Sequence, residues 1–227
     1  VQNGSFDLLD GSQYFEKGDS VYVVVTGNDG VDDGNSLSTI PILIGNSAPT
    51  NLAVSIHTST DFYNDSTLLC SATVDDSDSA DTITYDFTWS TGDSGDNLVL
   101  DGSMPPGTSL SCTATATDGT DSITNSVNIA LLNREPVIDS ITLSPDAPTA
   151  ESTEISCTAV ASDADGESVL VNYEWSVDGS IQSESSSTLT GIFSQGQNIQ
   201  CTVTPTDSGG TGSAESISVS IQNTSPA

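Results

Sequence analysis

The chain has 227 residues, and two basic residues against 32 acidic ones give it a formal net charge of −30. This balance excludes binding to nucleic acid or anionic lipid, because both need clustered lysine and arginine. No apolar run approaches the roughly 20 residues that span a bilayer, so we expect no membrane insertion. Alternating runs rich in serine, threonine, valine and isoleucine, broken by glycine and proline, predict β-strands.

Residues 1–46 match only the second half of a unit that occurs twice more in the chain. Aligning Gly18 with the equivalent glycines of the later copies places residues 28–30, Asn-Asp-Gly, on their acidic turns. The valine-rich run at 21–25 predicts a strand, but no first-half strands precede it. A half sandwich leaves strand edges and a core face uncovered. We therefore expect the missing strands to come from chain upstream or from another subunit.

Residues 47–133 and 134–223 are two full copies of the unit, and residues 224–227 begin a further connector. Each copy has a cysteine on an alternating run, an acidic turn, an aromatic-x-Trp pair and a second cysteine. Self-similarity of this kind indicates tandem copies of one unit. The predicted strands of the first full copy are 51–57, 66–74, 82–90, 96–100, 108–116 and 122–131. Those of the second are 137–143, 152–161, 168–177, 187–192, 197–205 and 213–221.

Every boundary carries an Asn-x-x-Pro sequence, at 46–49, 133–136 and 223–226. Proline fixes its own φ and pushes the preceding residue towards extended geometry. These tetrapeptides therefore predict short, stiff connectors and a semi-rigid array of repeats.

The spacing of cysteine and tryptophan resembles the pin of immunoglobulin domains, in which a tryptophan packs on a disulfide that joins two sheets. The Phe87/Trp89 and Tyr173/Trp175 pairs, each followed by a Gly-Asp or Asp-Gly turn, also look like polycystic-kidney-disease (PKD) repeats and their bacterial Ig-like relatives. The resemblance implies an all-β fold of tandem Ig-like or PKD-like β-sandwich domains, head to tail, with one intradomain disulfide in each full repeat. Such relatives are spacers, adhesin stalks or accessories of carbohydrate enzymes.

Four cysteines, two in each full repeat, predict the pairs Cys70–Cys112 and Cys157–Cys201. The alternative is a disulfide between repeats, but each repeat already contains one matched pair of cysteines. Each within-repeat bond would contribute roughly 4 kcal/mol by the chain-entropy model. Disulfides also indicate an oxidising compartment, so we expect a secreted or cell-surface protein.

Closely spaced carboxylates make calcium a candidate ligand, because Ca²⁺ prefers hard oxygen donors. The acidic turns that follow the first cysteine strands contain Asp75, Asp76, Asp78, Asp81, Asp163, Asp165 and Glu167. We expect each turn to lie at the same end of the sandwich as a later aspartate turn. The candidate ligands are Asp76, Asp78, Asp118, Asp163, Asp165 and Asp207. Under the alternative, these residues form solvated turns that cap their own backbone. No other cofactor is expected.

Other motifs are weaker. Three Asn-x-Ser sequences predict N-glycosylation at Asn3, Asn64 and Asn223. Residues 92–95, Gly-Asp-Ser-Gly, resemble a serine-protease nucleophile loop but lack its second glycine, and the sole histidine, His57, has no partner signature. We expect no catalytic residues.

These observations predict a non-enzymatic repeat segment of an extracellular filament, sheath or stalk, whose partners are copies of itself or further repeats of the same chain. One alternative is an adhesin or glycan-binding module, which would bind surface glycans or proteins through exposed aromatic residues. Another is an accessory repeat region of a large secreted hydrolase.

Overall fold

The structure is a computed structural model that describes residues 11–224. Apart from one helical turn, α1 (Gly11–Tyr14), the regular structure of these residues is β-strand. None of their helices is long and apolar enough to cross a membrane. The strands are β1 (Ser20–Val21), β2 (Val24–Asn28), β3 (Asp33–Ser38), β4 (Ile42–Leu43), β5 (Thr50–Thr58), β6 (Thr67–Asp75), β7 (Thr84–Trp89), β8 (Asn97–Val99), β9 (Ser109–Thr117), β10 (Ser122–Ala130), β11 (Val137–Ser144), β12 (Glu154–Ser162), β13 (Leu170–Val177), β14 (Ser180–Ile181), β15 (Thr188–Thr190), β16 (Asn198–Thr206) and β17 (Glu215–Ser220).

Every strand predicted for the two full repeats is present, and each begins and ends within two residues of its predicted bounds. Strand β14 was not predicted; it forms a hairpin with β13 through a two-residue turn. Its turn residues, Asp178 and Gly179, have φ values of 49° and 78°, as the type I′ turn of a tight hairpin requires.

The predicted strand at 21–25 is wrong as a continuous element. Val21 pairs with Ile42 in one two-stranded sheet, whereas Val24 pairs with Ser38 in another. The run is therefore divided between β1 and β2. The large apolar side chains of these short sheets remain exposed, among them Val24, Val25, Leu37, Ile42 and Leu43.

In residues 134–223, strands β11-β12-β15 form one sheet and β14-β13-β16-β17 form the other. Alternate side chains of β16, from Ile199 to Val203, are fully buried, as expected when one face of a strand contacts a core. They pack with residues of β11, β12, β13 and β15 and with Phe193 and Ile221. The buried core consists of Ile138, Ile155, Cys157, Trp175, Leu189, Phe193, Ile199, Cys201, Val203 and Ile221.

In residues 47–133, strands β5-β6-β8 form one sheet and β10-β9-β7 the other, in the same order as their counterparts in the following repeat. Trp89 is paired with Cys112 across β7 and β9, just as Trp175 is paired with Cys201 across β13 and β16. The chain is thus an all-β protein with tandem Ig-like β-sandwich folds.

Contacts group the chain into two compact units. The first contains the described residues up to His57 together with Leu69–Leu98 and Leu110–Asn128. The second contains Thr58–Leu68, Val99–Ser109 and the described residues from Ile129 onward. This division passes through residues 47–133, several of whose strands extend from one unit into the other. The domain bounds 1–46, 47–133 and 134–223 stay a prediction.

Within the first unit, the geometry of Gly18 supports the alignment of the partial copy. Gly18 has a φ of 90°, and its amide donates to the carbonyl of Ile44 at 3.0 Å. The equivalent glycines of the full repeats also have positive φ and make the equivalent bond, from Gly107 to Leu131 and from Gly196 to Ile221.

Candidate cation sites in two acidic clusters

The two disulfides join Cys70 to Cys112 and Cys157 to Cys201, with Cα–Cα separations of 6.4 and 6.5 Å. Each connects the two sheets of one sandwich, so the predicted pairing is confirmed.

The four aromatic residues of the predicted pins divide into two kinds. Trp89 and Trp175 are buried, and each indole Nε1 donates to a backbone carbonyl, that of Gly95 at 3.0 Å or Ser186 at 2.9 Å. Phe87 and Tyr173 are half-buried and pack beside the cores. The bonds to the two indoles matter because a buried N–H without a partner destabilises a core.

The first acidic cluster lies within the first unit and contains Asp76, Asp81 and Asp118, whose carboxylate oxygens lie within 4.8 Å of one another. The backbone fixes two of these side chains. Asp76 Oδ1 accepts a hydrogen bond from the amide of Asp78 at 2.8 Å. Asp118 Oδ1 accepts from the amides of Thr120 and Asp121 at 2.6 and 2.7 Å. Such bonds are typical of aspartate turns and orient each carboxylate towards its neighbours.

The connector residue Asn46 reaches the same cluster. Its Nδ2 donates to Asp118 Oδ2 and to Asp121 Oδ2, both at 2.9 Å. The Asn46 amide, followed by the backbone amide of Asp121, lowers the pKa of Asp118 to about 2. Asp118 therefore carries its negative charge at neutral pH.

The second acidic cluster lies within the second unit and contains Asp163, Glu167 and Asp207, whose ligand oxygens also lie within 4.8 Å of one another. Its hydrogen bonds repeat those of the first cluster. Asp163 Oδ1 accepts from the amide of Asp165 at 2.8 Å, and Asp207 Oδ1 accepts from the amides of Gly209 and Gly210 at 2.7 and 2.6 Å.

The connector residue Asn133 occupies the position of Asn46. Its Nδ2 donates to the carbonyl of Arg134 at 2.9 Å and, at 3.4 Å, to Asp207 Oδ2. A Cβ atom at Gly209 would collide with Asn133 Oδ1, so any side chain at that point of the turn would displace the Asn133 side chain.

Two of the six predicted metal ligands have a different role. Asp78 and Asp165 are buried, and neither belongs to the acidic clusters. Asp78 Oδ2 accepts from the backbone amide of Ser47, and Asp165 Oδ2 accepts from that of Arg134, both at 2.6 Å. These aspartates hold the connector backbone, and Asp81 and Glu167 complete the clusters instead.

Asn46 and Asn133 were not among the predicted ligands, although the sequence contained the signal. The Asn-x-x-Pro sequence recurs at every boundary. Because proline alone explains a stiff connector, the recurring asparagine was assigned no role. Folding brings the Asn46 amide beside Asp118, 72 residues away, and the Asn133 amide beside Asp207, 74 residues away.

Each basic residue of the sequence, Lys17 and Arg134, contacts an aspartate of an acidic turn. Lys17 Nζ contacts Asp81 Oδ2 at 2.8 Å, and this hydrogen bond raises the pKa of Lys17 above its ordinary value. Arg134 contacts Asp165 and Asp65 through its guanidinium, which also lies 4.6 Å from the centre of the Tyr63 ring. The first cluster thus includes a carboxylate paired with lysine, whereas Arg134 binds a carboxylate outside the second cluster.

Five buried side-chain atoms of the described residues lack a hydrogen-bond partner, and all five are oxygens of the two acidic clusters or of the connector asparagines beside them. They are Asn46 Oδ1, Asp76 Oδ2, Asn133 Oδ1, Asp163 Oδ2 and Glu167 Oε2. A buried polar atom without a partner is costly, so each such atom in a folded protein calls for an explanation.

Glycosylation of Asn64 does not fit the folded chain. Asn64 is only 1% exposed, and its Nδ2 donates to the carbonyls of Gly102, Met104 and Asp165. A glycan on that nitrogen would break these bonds and would have no room. Asn223 is exposed, so glycosylation there stays a prediction, and Asn3 lies outside the described residues.

The residues considered for catalysis belong to different sheets of one sandwich. His57 Nε2 contacts Ser55 Oγ at 2.9 Å on the same strand. Ser94 follows β7 and forms a backbone bridge with Thr88.

No protein-family model matches the chain, and no curated protein matches it. Among solved structures, the chain is similar to the FN1–FN3 domains of chicken CNTN1, with 12% identity over 83% of this chain and 73% of that chain and a TM-score of 0.33. It is also similar to domains of titin, with 11% identity over 91% of this chain and 76% of that chain and a TM-score of 0.35. Likenesses at this level say nothing about function.

Proposed function

We propose that the chain is a non-enzymatic structural segment of an extracellular filament, sheath or stalk, which keeps a fixed length under tension. The observation that carries this proposal is the matched bonding of the two connectors. Asp78 holds the backbone of Ser47, and Asp165 holds that of Arg134. A connector that is hydrogen-bonded to buried carboxylates resists bending better than one that is solvated. Further repeats of the same chain, or copies of it, are the proposed partners.

The disulfides support this role, because each limits how far its repeat can extend. The bond between Cys70 and Cys112 removes a segment of 42 residues from the extensible chain. At about 3.5 Å per residue, this segment would otherwise add roughly 15 nm to the unfolded length. Disulfides also fit an oxidising, extracellular setting.

Single-molecule force spectroscopy of the chain tests the proposal. We expect discrete unfolding events, and we expect the length gained per full repeat to increase by roughly 15 nm on reduction. In small-angle scattering, the double variant Asp78→Ala/Asp165→Ala should be more flexible than the unaltered chain. The control Glu135→Gln, at an exposed residue, should scatter like the unaltered chain. Extension without resolved unfolding events, or equal scattering from all three proteins, would contradict the mechanical role.

Two alternatives to the structural role, an adhesin and an accessory region of a hydrolase, each have a test of their own. A glycan array that gives specific binding would favour an adhesin. A catalytic domain joined to these repeats in the full-length protein would favour an accessory region of a hydrolase.

A further inference from the structure

We propose that each acidic cluster binds one calcium ion, and that the connector asparagine beside it supplies a ligand oxygen. The first site consists of Asn46, Asp76, Asp81 and Asp118, and the second of Asn133, Asp163, Glu167 and Asp207. The proposal does not rest on the mechanical role, because the sites would be present equally in an adhesin.

The unpartnered oxygens are the observation that points to a ligand. Acidic residues often gather on surfaces without binding anything, but then water satisfies their oxygens. At the second site, Asp163 Oδ2, Glu167 Oε2 and Asn133 Oδ1 are buried and accept no hydrogen bond. Two of these atoms come from the acidic turn that contains Asp163 and Glu167, and the third comes from the connector. A bound cation would satisfy all of them at once.

The first site repeats the pattern independently. Asn46 Oδ1 and Asp76 Oδ2 are buried without partners, and Asp118 is only 8% exposed. The asparagine has the same orientation at both sites, with Nδ2 donating to an aspartate carboxylate and Oδ1 left without a donor. Both sites therefore leave unsatisfied the Oδ1 of the connector asparagine and the Oδ2 of the turn aspartate, Asp76 or Asp163.

The donor set selects the ion. Each site offers carboxylate and amide oxygens, and neither contains the sulfur or imidazole nitrogen that zinc and other transition metals prefer. Calcium binds six to eight oxygens at 2.3–2.6 Å, so ligand oxygens on opposite sides of one ion are about 5 Å apart. The oxygens of each cluster lie within 4.8 Å of one another. Magnesium is smaller and retains its water, so it is the weaker candidate.

Binding would couple the connector to the repeat that follows it. Asn46 and Asn133 belong to the connectors, whereas the carboxylates of each site belong to the acidic turns of the next repeat. An ion shared between them would hold the connector in addition to Asp78 and Asp165. Calcium would thus control the stiffness of the chain at the millimolar concentrations found outside cells.

Isothermal titration calorimetry of the full chain with CaCl₂ tests the proposal. We expect two calcium ions per chain, with Kd values on the order of 10⁻⁴–10⁻³ M. Thermal unfolding should shift upward by several degrees in 10 mM CaCl₂ relative to EDTA. The double variant Asp163→Asn/Glu167→Gln should bind one ion, and Glu135→Gln, which removes an exposed charge near the same connector, should still bind two.

Gly209→Ala separates ligand geometry from charge. The added methyl group would displace the Asn133 side chain without altering any carboxylate. We expect this variant to keep its circular dichroism spectrum and to lose one calcium ion. If it binds two ions like the unaltered chain, the asparagine is not a ligand. If calcium gives no heat up to 10 mM, or if NaCl of the same ionic strength raises Tm equally, no calcium site exists and the clusters are solvated turns.

Discussion

Arg134 binds Asp165 through both its backbone and its side chain. The backbone amide donates to Oδ2 at 2.6 Å and Nε donates to Oδ1 at 2.9 Å, while the Asp165 side chain is fully buried. One residue of the connector thus neutralises a carboxylate that would otherwise be buried with its charge uncompensated. This pair ties residues 31 positions apart in the second unit.

Replacing Arg134 with methionine should destabilise the second unit by about 2 kcal/mol. Loss of one member of a buried ion pair costs about 3–5 kcal/mol, and the partial exposure of the guanidinium and the remaining backbone bond reduce that cost. Chemical denaturation followed by circular dichroism measures it. The control is Asp65→Asn, because Asp65 is 56% exposed and its contact with Arg134 should contribute under 1 kcal/mol. Equal effects of the two substitutions would show that burial of Asp165 is unimportant.

Removing the second disulfide by Cys157→Ala/Cys201→Ala should lower the free energy of unfolding by roughly 4 kcal/mol. The bond closes a loop with a sequence separation of 44, and the chain-entropy model gives that stabilisation by restricting the unfolded state. Denaturant unfolding of the oxidised chain and of the variant provides the comparison. A variant that unfolds at the same denaturant concentration as the oxidised chain would show that the bond contributes no stability.

Trp175→Ala should destabilise its sandwich by about 3–5 kcal/mol, because the indole is fully buried and its removal leaves a large cavity. Tyr173 lies two residues earlier on the same strand and is only half-buried. Tyr173→Ala should therefore cost distinctly less. Thermal unfolding of both variants measures the difference, and a larger loss for tyrosine would mean that the pin is misassigned.

The carboxylate of Asp29 should titrate below its ordinary pKa. The backbone amides of Asp32 and Val31 donate to Oδ1, both at 3.0 Å, and they lower the pKa of Asp29. Because the folded value lies below the unfolded value of about 3.9, this stabilisation is fully present above about pH 4 and is lost as the pH falls through the folded pKa. Carbon-detected NMR titration measures the value. A pKa at or above 3.9 would contradict these bonds, and Asp29→Asn should remove this titration.

Lys17→Gln should strengthen calcium binding at the first site while leaving the second unchanged. Lys17 contacts Asp81 at 2.8 Å, so its positive charge competes with any ion bound there. In the unaltered chain, the second site should bind calcium more tightly. Calorimetry on chains in which the opposite site has been removed separates the two affinities. If Lys17→Gln weakens binding or leaves it unaltered, Asp81 is not a ligand.

The sequence by itself determined the pairing of the cysteines and every strand of the two full repeats except β14. Alternation along segments such as residues 198–206 has one physical meaning, a strand with one buried face, and the repeat supplies each pattern twice. Turn chemistry was less decisive. Asp178-Gly179 was recognised as a turn that ends β13, but β14 after it was not predicted, because a two-residue strand has no measurable period.

The acidic sites depended on tertiary structure. Asp76, Asp78 and Asp81 are equally good oxygen donors in the sequence, and only folding directs Asp78 to the backbone of Ser47 while Asp76 and Asp81 join Asp118. The contribution of Asn46 was likewise hidden, because its partner Asp118 is 72 residues away. Local pattern fixes which face of a strand is buried, whereas the partner of each polar side chain is set by which distant turns the closed sandwich brings together.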